Sequence, residues 1–449
     1  MTSVTLADVA SAVVLLSIVW FAIVHSVSLL SVVAVYARLR SRRHRTAAAG
    51  RDAVGGSPAA PGVSMVIAAG DDREHLVERV RALLLVDYAR FEVVVAGAAS
   101  ADGTLAALTR AFDLVRGPAG AYRSLEHPEL VVLDTADGSR AVAIDAGVVA
   151  ARYPLVCVVG AGVIVEAHAL TRAVEPFRRS PETIAAAGGV RIANGGTVDE
   201  GRGVRLRLPA SGLAVVQIVE RLRSHVPGQV NLSAMNGLLA VPEAFGLFRR
   251  DALVEAGGVG READGGEVDL TLRLHRAARA RRRGYRIVFQ PDPVCWIVVP
   301  ERWRPLAAGL RRRQRVVLRA LARHRSMILN PRFGALGLLI LPSSLAFEAL
   351  GPFVELAGYV VAGGGLAAGL VGATLVELLF LSAIAYGTLV SVAAVLLEEL
   401  SSGRDAPGRD LLRIVLYAVL ENLGYRQATA WWRLGGVVSA FGRQPSGAR

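Results

Sequence analysis

From Val9 to Tyr36 the chain is almost unbroken apolar sequence, longer than the ~20 residues that a membrane-crossing helix needs. No short apolar core with a small-residue cleavage site is visible, so the segment reads as a retained anchor. Arg38, Arg40, Arg42, Arg43, His44 and Arg45 follow it at once, whereas Asp8 is the one charged side chain before it. The positive-inside rule then places the N-terminus outside and the main body in the cytoplasm, on an inner or plasma membrane crossed more than once. His25, midway along, reads as a buried histidine facing a neighbouring helix, with an intramembrane functional site as the alternative.

A second apolar region begins near Phe333. Leu336–Ala362 and Leu366–Leu397 are its two stretches, with a kink expected at Gly351-Pro352. Glu348, Glu355 and Glu377 lie within them and are expected to face helix partners or a cavity. Leu411–Leu420 is too short to span and runs into Glu421-Asn422, so an interfacial helix is expected, continuing to Trp431-Trp432-Arg433. With 53% hydrophobic and 20% charged residues, the chain is neither disordered nor a wholly soluble charged protein. Lys plus Arg number 51 against 38 Asp plus Glu, a formal charge of +13. On so apolar a chain that excess points to anionic lipid or phosphate ligands ahead of nucleic acid. Two cysteines, Cys157 and Cys295, exclude a multi-disulfide framework and a four-cysteine zinc site.

Between the apolar ends the pattern alternates. Ala47–Pro61, rich in Ala, Gly, Ser and Pro, reads as a linker. Val63–Ala69 reads as a short buried strand and Phe91–Ala96 as strand-like, and Leu130–Leu133 and Leu155–Val159 are continuous apolar runs, as expected of strands buried on both faces. Leu76, Val80, Leu83 and Leu84 share one face of a helix capped by Asp71 or Asp72, and Leu105–Phe112 is helical. Tyr285–Gln290 adds a strand before Pro291-Asp292-Pro293. Strand-helix alternation of this kind predicts an α/β domain with a parallel, doubly wound sheet. Ligands of such sheets bind beyond the carboxyl ends of the strands, so the loops to interrogate are Gly70–Arg73, Gly97–Thr104 and Gly160–Val163.

Val63–Ile67, Asp87–Val93 and Ser100-Ala101-Asp102-Gly103-Thr104 together resemble the opening of family-2 glycosyltransferases with the GT-A fold. Ala150–Val156, Ala244–Asp251, Leu272-Arg273-Leu274-His275 and Pro291–Trp296 extend the likeness. It continues through Asn330–Gly334 into the apolar helices and Glu421–Arg426. The relatives it resembles are membrane-bound bacterial synthases akin to cellulose and hyaluronan synthases. The resemblance implies a Rossmann-like, nucleotide-sugar-binding domain over 63–302, between an anchor with basic flank (1–46) and linker (47–62) and an interface helix (303–332). Transmembrane helices (333–398) and an interfacial, membrane-associated segment (399–449) follow. It also implies transfer of a sugar from a nucleotide-sugar, such as a UDP-sugar, to a glycan or lipid acceptor.

Several site positions depart from the family's pattern. The family holds the donor pyrophosphate through Mg²⁺ or Mn²⁺ on an Asp-x-Asp motif, because hard cations take carboxylate oxygens; here the place reads Gly160-Ala161-Gly162. The Asp-Gly-Ser segment reads Ala98-Ala99-Ser100, leaving Ser100 and Asp102 as nucleotide contacts beside Asp71 and Asp72 of the first loop. The basic residue near the pyrophosphate is Arg140. In place of the acceptor-binding Gln-x-x-Arg-Trp motif stand Gly309, Arg312 and Arg313, and the Thr-Glu after the Cys-Trp pair is Ile297-Val298. The base, an Asp preceded by Glu in the family, aligns with Gly266-Glu267. Glu267 is the candidate general base; a solvated acid favoured by a helix N-terminus is the competing reading. No metal ligand is expected. The polar loops are altered while the strand and helix signatures persist, which predicts a glycosyltransferase scaffold with an eroded site. The expected role is scaffold or regulator beside an intact paralogue, with an active enzyme working through a metal-poor site as the alternative. Restoring aspartates at 160 and 162 is then expected to raise metal-dependent nucleotide affinity.

The stretch Arg302–Arg325 sets Leu306, Leu310, Val317 and Leu321 at helical spacing, with Arg311, Arg312, Arg313, Arg315, Arg319 and Arg323 around them. It reads as an amphipathic helix on anionic membrane lipid, ahead of an anionic lipid-linked or polysaccharide substrate. Nucleic acid is not an expected partner, since no aromatic platform accompanies the arginines. Arg279, Arg281, Arg282 and Arg283 read as a solvated helix end.

Overall fold

Four of the apolar runs become the centre of one sheet. The computed structural model describes residues 4–48, 60–71, 75–97, 103–117, 120–135, 139–199, 203–205, 207–260, 266–282, 284–402 and 408–441. Its strands are β1 (Val63–Ala68), β2 (Phe91–Ala96), β3 (Leu114–Arg116), β4 (Ala121–Ser124), β5 (Leu130–Leu133), β6 (Leu155–Val159), β7 (Val163–Val165), β8 (Thr183–Ile192), β9 (Thr197–Asp199), β10 (Gly203–Arg205), β11 (Phe245–Arg249) and β12 (Arg286–Ile297). Ten of them form a sheet in the order β3-β4-β5-β2-β1-β6-β11-β8-β12-β7, and β9 and β10 pair separately. All of β1 and β6 is buried, as is β2 beyond Phe91, which is why these segments carry side chains such as Val and Ile on both faces.

The sheet is mixed where a parallel one was expected. β5, β2, β1 and β6 run parallel, but β11 enters antiparallel between β6 and β8. β3 and β4 form an antiparallel edge. The reversal at β11 has a simple origin: about eighty residues separate it from β6, so no single crossover helix dictates its direction. β12 runs straight through Pro291-Asp292-Pro293 by slipping register against β8 between Gln290 and Pro293, and again before Cys295. Those slips spare the prolines a ladder donor they lack. The N-terminal position of the helix Leu76–Leu84 is not taken by Asp71. Its N-cap is His75, without a side-chain cap bond, because a tight turn over Ala69–Asp71 is inserted between strand and helix; Asp72 lies outside the described residues.

The chain divides into two compact units. One holds Thr46–Arg207 and Leu232–Val299, and therefore every strand. The other holds Met1–Arg45, Leu208–Asn231 and Pro300–Arg449. Among its described residues, three helical stretches are long and apolar enough to cross a membrane: Leu6–Val35, Leu336–Ala367 and Ala373–Glu399. The second continues through Gly351-Pro352 and also through Gly363-Gly364-Gly365, where a break was expected. It stops at Gly369, whose φ of +68° lets the Leu370 N–H reach back to the Gly365 carbonyl at 2.8 Å, a glycine-terminated helix end.

Charged groups in this unit are buried in pairs. Arg426 meets Glu355 at 3.1 Å, and its Nη1 donates to Nε2 of fully buried His25 at 2.5 Å. His25 must then carry its proton on Nδ1, which donates to the Ser382 carbonyl at 2.8 Å. Arg223 pairs with Glu421 at 2.7 Å, and the other Glu421 oxygen accepts from Ser391 at 2.7 Å. The short helix Gly408–Leu420 is followed by a break at Leu423-Gly424 before Arg426–Phe441. That break delivers Glu421, Asn422 and Arg426 to these partners. Helix Trp303–Arg323 turns its apolar stripe onto the protein itself: Leu306 and Leu310 pack with Val216, Tyr425 and Trp432.

Pairs buried to different depths should differ in worth. Glu355→Gln leaves Arg426 without its carboxylate at 10–13% side-chain exposure, and should cost about 3–5 kcal/mol. Glu348→Gln, whose partner Arg433 is about a third exposed, should cost no more than about 1 kcal/mol. Thermal unfolding of the detergent-solubilised protein compares them; equal losses would refute the ranking.

Candidate functional site

In the strand-bearing unit the carboxyl ends of the parallel strands carry Gly160, Gly162 and Arg140 of the residues singled out from sequence. β6 ends at Val159, and the glycines of 160–162 follow it. The Gly160 N–H donates to the Ala244 carbonyl at 3.1 Å, continuing the antiparallel pairing in which Phe245 faces Val159. Arg79, buried in the helix Leu76–Leu84, donates from Nη2 to the carbonyls of Val159 and Gly160. A Cβ at Gly160 would lie 2.9 Å from the Glu243 carbonyl oxygen and 3.2 Å from the Ala244 Cα. Backbone therefore fills the space that a side chain would need. Gly162 is open to solvent, with nothing within 4 Å of its Cβ direction, at φ +63°.

Arg140 opens the helix Arg140–Ala150, whose N-cap Ser139 accepts from the Val142 N–H at 3.3 Å. Its guanidinium Nη1 donates to Oε2 of Glu243 at 2.8 Å, with the side chains 31% and 40% exposed. Glu243 stands two residues before β11. Its own N–H donates to Oε2 of Glu267 at 3.3 Å. Arg140, Glu243 and Glu267 thus come together from three separate elements.

Glu267 lies in the first turn of the helix Gly266–Ala280, and that helix is anchored three ways. The Thr271 hydroxyl donates to the Glu267 carbonyl at 2.7 Å and accepts from the Val241 N–H at 2.9 Å. Arg273 bonds Asp269 at 2.9 Å and the carbonyls of Gly258 and Val259 at 2.8 Å. The Val259 N–H in turn donates to Asp145 at 2.6 Å. Burial pushes His275 down to about 4, so the ring is neutral; Nε2 donates to the Leu238 carbonyl and Nδ1 accepts from the Tyr285 hydroxyl, each at 2.9 Å. Asp269 is thereby structural. Thr135, after β5, has a buried hydroxyl with no hydrogen-bond partner among the described residues.

Of the other expected site residues, Asp71 ends the turn Ala69–Asp71, and Gly266 begins its helix at φ +57°. Asp72, Ala98, Ser100 and Asp102 lie outside the described residues. Gly309, Arg312 and Arg313 belong to the other unit, on the helix Trp303–Arg323, with both arginines exposed. The sequence reading overlooked Glu243, Arg79 and Asp145. An acid immediately before an apolar strand was visible at Glu243, but no spacing rule linked it to Arg140.

Among the described residues, the side chains at this place do not fit a divalent cation. Gly160 and Gly162 offer no carboxylate, the Glu243 carboxylate is engaged by Arg140, and the Arg79 guanidinium already occupies the neighbouring carbonyls. No three His, Cys, Asp or Glu side chains gather into a metal-holding group among the described residues.

A sequence profile described as "Glycosyltransferase like family 2" matches residues 60–318. Poly-beta-1,6-N-acetyl-D-glucosamine synthase of Staphylococcus aureus (strain COL) is 22% identical over 241 residues, 54% of this chain and 50% of that protein. The Staphylococcus epidermidis protein of the same name is 20% identical over 240 residues. The chain spans about half the length of the curated relatives it matches. Among solved structures, the mannosyltransferase PcManGT from Pyrobaculum calidifontis, in complex with GDP-Man and Mn²⁺, superposes with a TM-score of 0.54. That similarity is 19% in identity and covers 93% of this chain and 99% of that one.

The restoration of two aspartates expected from sequence meets a steric barrier at one of its positions. Gly160→Asp should cost about 1–3 kcal/mol through overpacking against the 243–244 backbone and confer no manganese-dependent nucleotide affinity. Gly162→Asp should fold with a cost of about 1 kcal/mol, since Asp tolerates positive φ better than most residues. Melting curves with and without Mn²⁺ and UDP test both; a stable, metal-responsive Gly160→Asp would show that the backbone yields.

Proposed function

The chain belongs to glycosyltransferase family 2, and from that premise we propose that it is a membrane-attached member whose donor site has lost metal-dependent catalysis. It acts as a scaffold or regulator beside an intact family-2 glycosyltransferase in polysaccharide synthesis. The observation that carries this reading is the closure of Gly160 by the Glu243–Ala244 backbone. Family chemistry needs carboxylates there to gather a cation and two phosphates. The polysaccharide synthases among its relatives support the setting, and the exposed arginines of Trp303–Arg323 suit anionic lipid headgroups. The nucleotide-sugar ligand of PcManGT supports an affinity for nucleotide-sugars such as UDP-sugars, and the metal-indifference proposed for it rests on Gly160 and Gly162. Asp71, Asp72, Ser100, Asp102 and Arg140 are the proposed contacts.

A second reading, an active inverting transferase with a metal-poor site, is favoured by Glu267. Its carboxylate accepts from the Glu243 N–H, and the family resemblance aligns it with the general base that takes an acceptor proton.

UDP-sugar binding and transfer by the full chain, with and without Mn²⁺, separates the two. Weak binding that ignores the metal, and no transfer, are expected. Transfer that disappears in Glu267→Gln would establish the second reading instead.

The arginines after the first apolar stretch support a cytoplasmic location for the strand-bearing unit. A cysteine introduced at Arg51 should resist an impermeant thiol reagent added to intact cells. Labelling from outside would reverse the topology.

A further inference from the structure

The pairing of Arg140 with Glu243 has an unusual construction for a partly exposed ion pair. Glu243 is held at the sheet by its backbone: its N–H is fixed to Glu267, and its carbonyl lies against Gly160. The next residue, Ala244, receives the Gly160 N–H. Only the side chain is free to reach outward, and it places one carboxylate oxygen 2.8 Å from Arg140. Arg140 sits on an independent element, the first turn of Arg140–Ala150. With about a third of each side chain open to solvent, the contact is accessible to a competing anion. A phosphate approaching Arg140 would have to displace this carboxylate and would also be repelled by it, since like charges a few ångström apart disfavour one another.

We propose that Glu243 is an internal anion seated on Arg140, which sets the affinity of this site for diphosphate ligands by competing with them. The proposal rests on the donor-site reading above and names the residue that weakens the site. Glu243 decides the affinity, and Arg140 is the group competed for. Removing the negative charge while keeping the shape exposes the guanidinium to a ligand. Replacing the guanidinium removes the prize of the competition, so that the state of Glu243 no longer matters.

The test uses the full chain in detergent with EDTA present, titrated with UDP and separately with inorganic pyrophosphate. Glu243→Gln should bind both roughly three- to tenfold more tightly than wild type, the scale of a partly exposed ion pair plus one removed like charge. Glu243→Asp, one methylene shorter, should fall between. In an Arg140→Gln background the gain should vanish. Melting temperature is followed in parallel, because a purely structural pair would lower stability without raising affinity. Unchanged or weaker binding by Glu243→Gln, a gain that persists without Arg140, or no measurable binding by any variant overturns the proposal. Tight manganese-dependent UDP binding by wild type would instead count against the metal-poor donor site, and the ratio measured in EDTA would still judge Glu243 by itself.

Discussion

Antiparallel pairing of β11 with β6 is the constraint from which the site takes its form. Its register, Phe245 opposite Val159, runs on past the strand end, so that the residues before β11 lie alongside Gly160. That one alignment brings the Glu243 carbonyl into the space of a side chain and sends the Glu243 carboxylate toward Arg140. It also positions the Glu243 N–H for Glu267. The parallel strands supply a rigid platform, buried on both faces, but a platform alone does not decide which groups meet above it. A neighbour running the opposite way ends there with its loop, and the loop carries the charge.

The helical unit depends on a different balance. Taking Arg223, Arg426, Glu355 and Glu421 out of water is costly, and each is compensated by an opposite charge, with Glu421 also accepting a hydrogen bond from Ser391 and Arg426 also donating one to His25. Replacing such pairs by apolar residues can leave stability unchanged, so their value lies in direction. They admit one alignment of the broken helix around Leu423-Gly424 against the spans, where an apolar surface would tolerate several.

Much of this was legible because burial writes itself into sequence. β5 and β6 appear as unbroken apolar runs and β2 as a strand-like run interrupted by Glu92, all with their ends at the expected residues, and β1 ends one residue early. β8 escaped notice: Thr183–Ile192 contains a run of Ala and Gly with little strand preference, and its ordering comes from two neighbours. β12 was cut short at Pro291 by a rule that holds for regular ladders, whereas register slips let the strand pass. The polar site was legible residue by residue but not as a set. Arg140 and Glu267 could be found by likeness to a family, yet Glu243 becomes meaningful only when the fold carries it about a hundred positions back along the chain to Arg140.

The backbone filling Gly160 also gives the site a direction in evolutionary time. While that glycine's neighbours keep their distance, a carboxylate can be gained or lost by single substitutions. With Glu243 and Ala244 this near, a substitution that would install one is opposed by packing before its chemistry can be selected. The order of events then matters: the loop before β11 must withdraw first, with no benefit of its own. Such a residue works as a ratchet, and a chain that carries it is freer to change what surrounds the site than to place a side chain at that position.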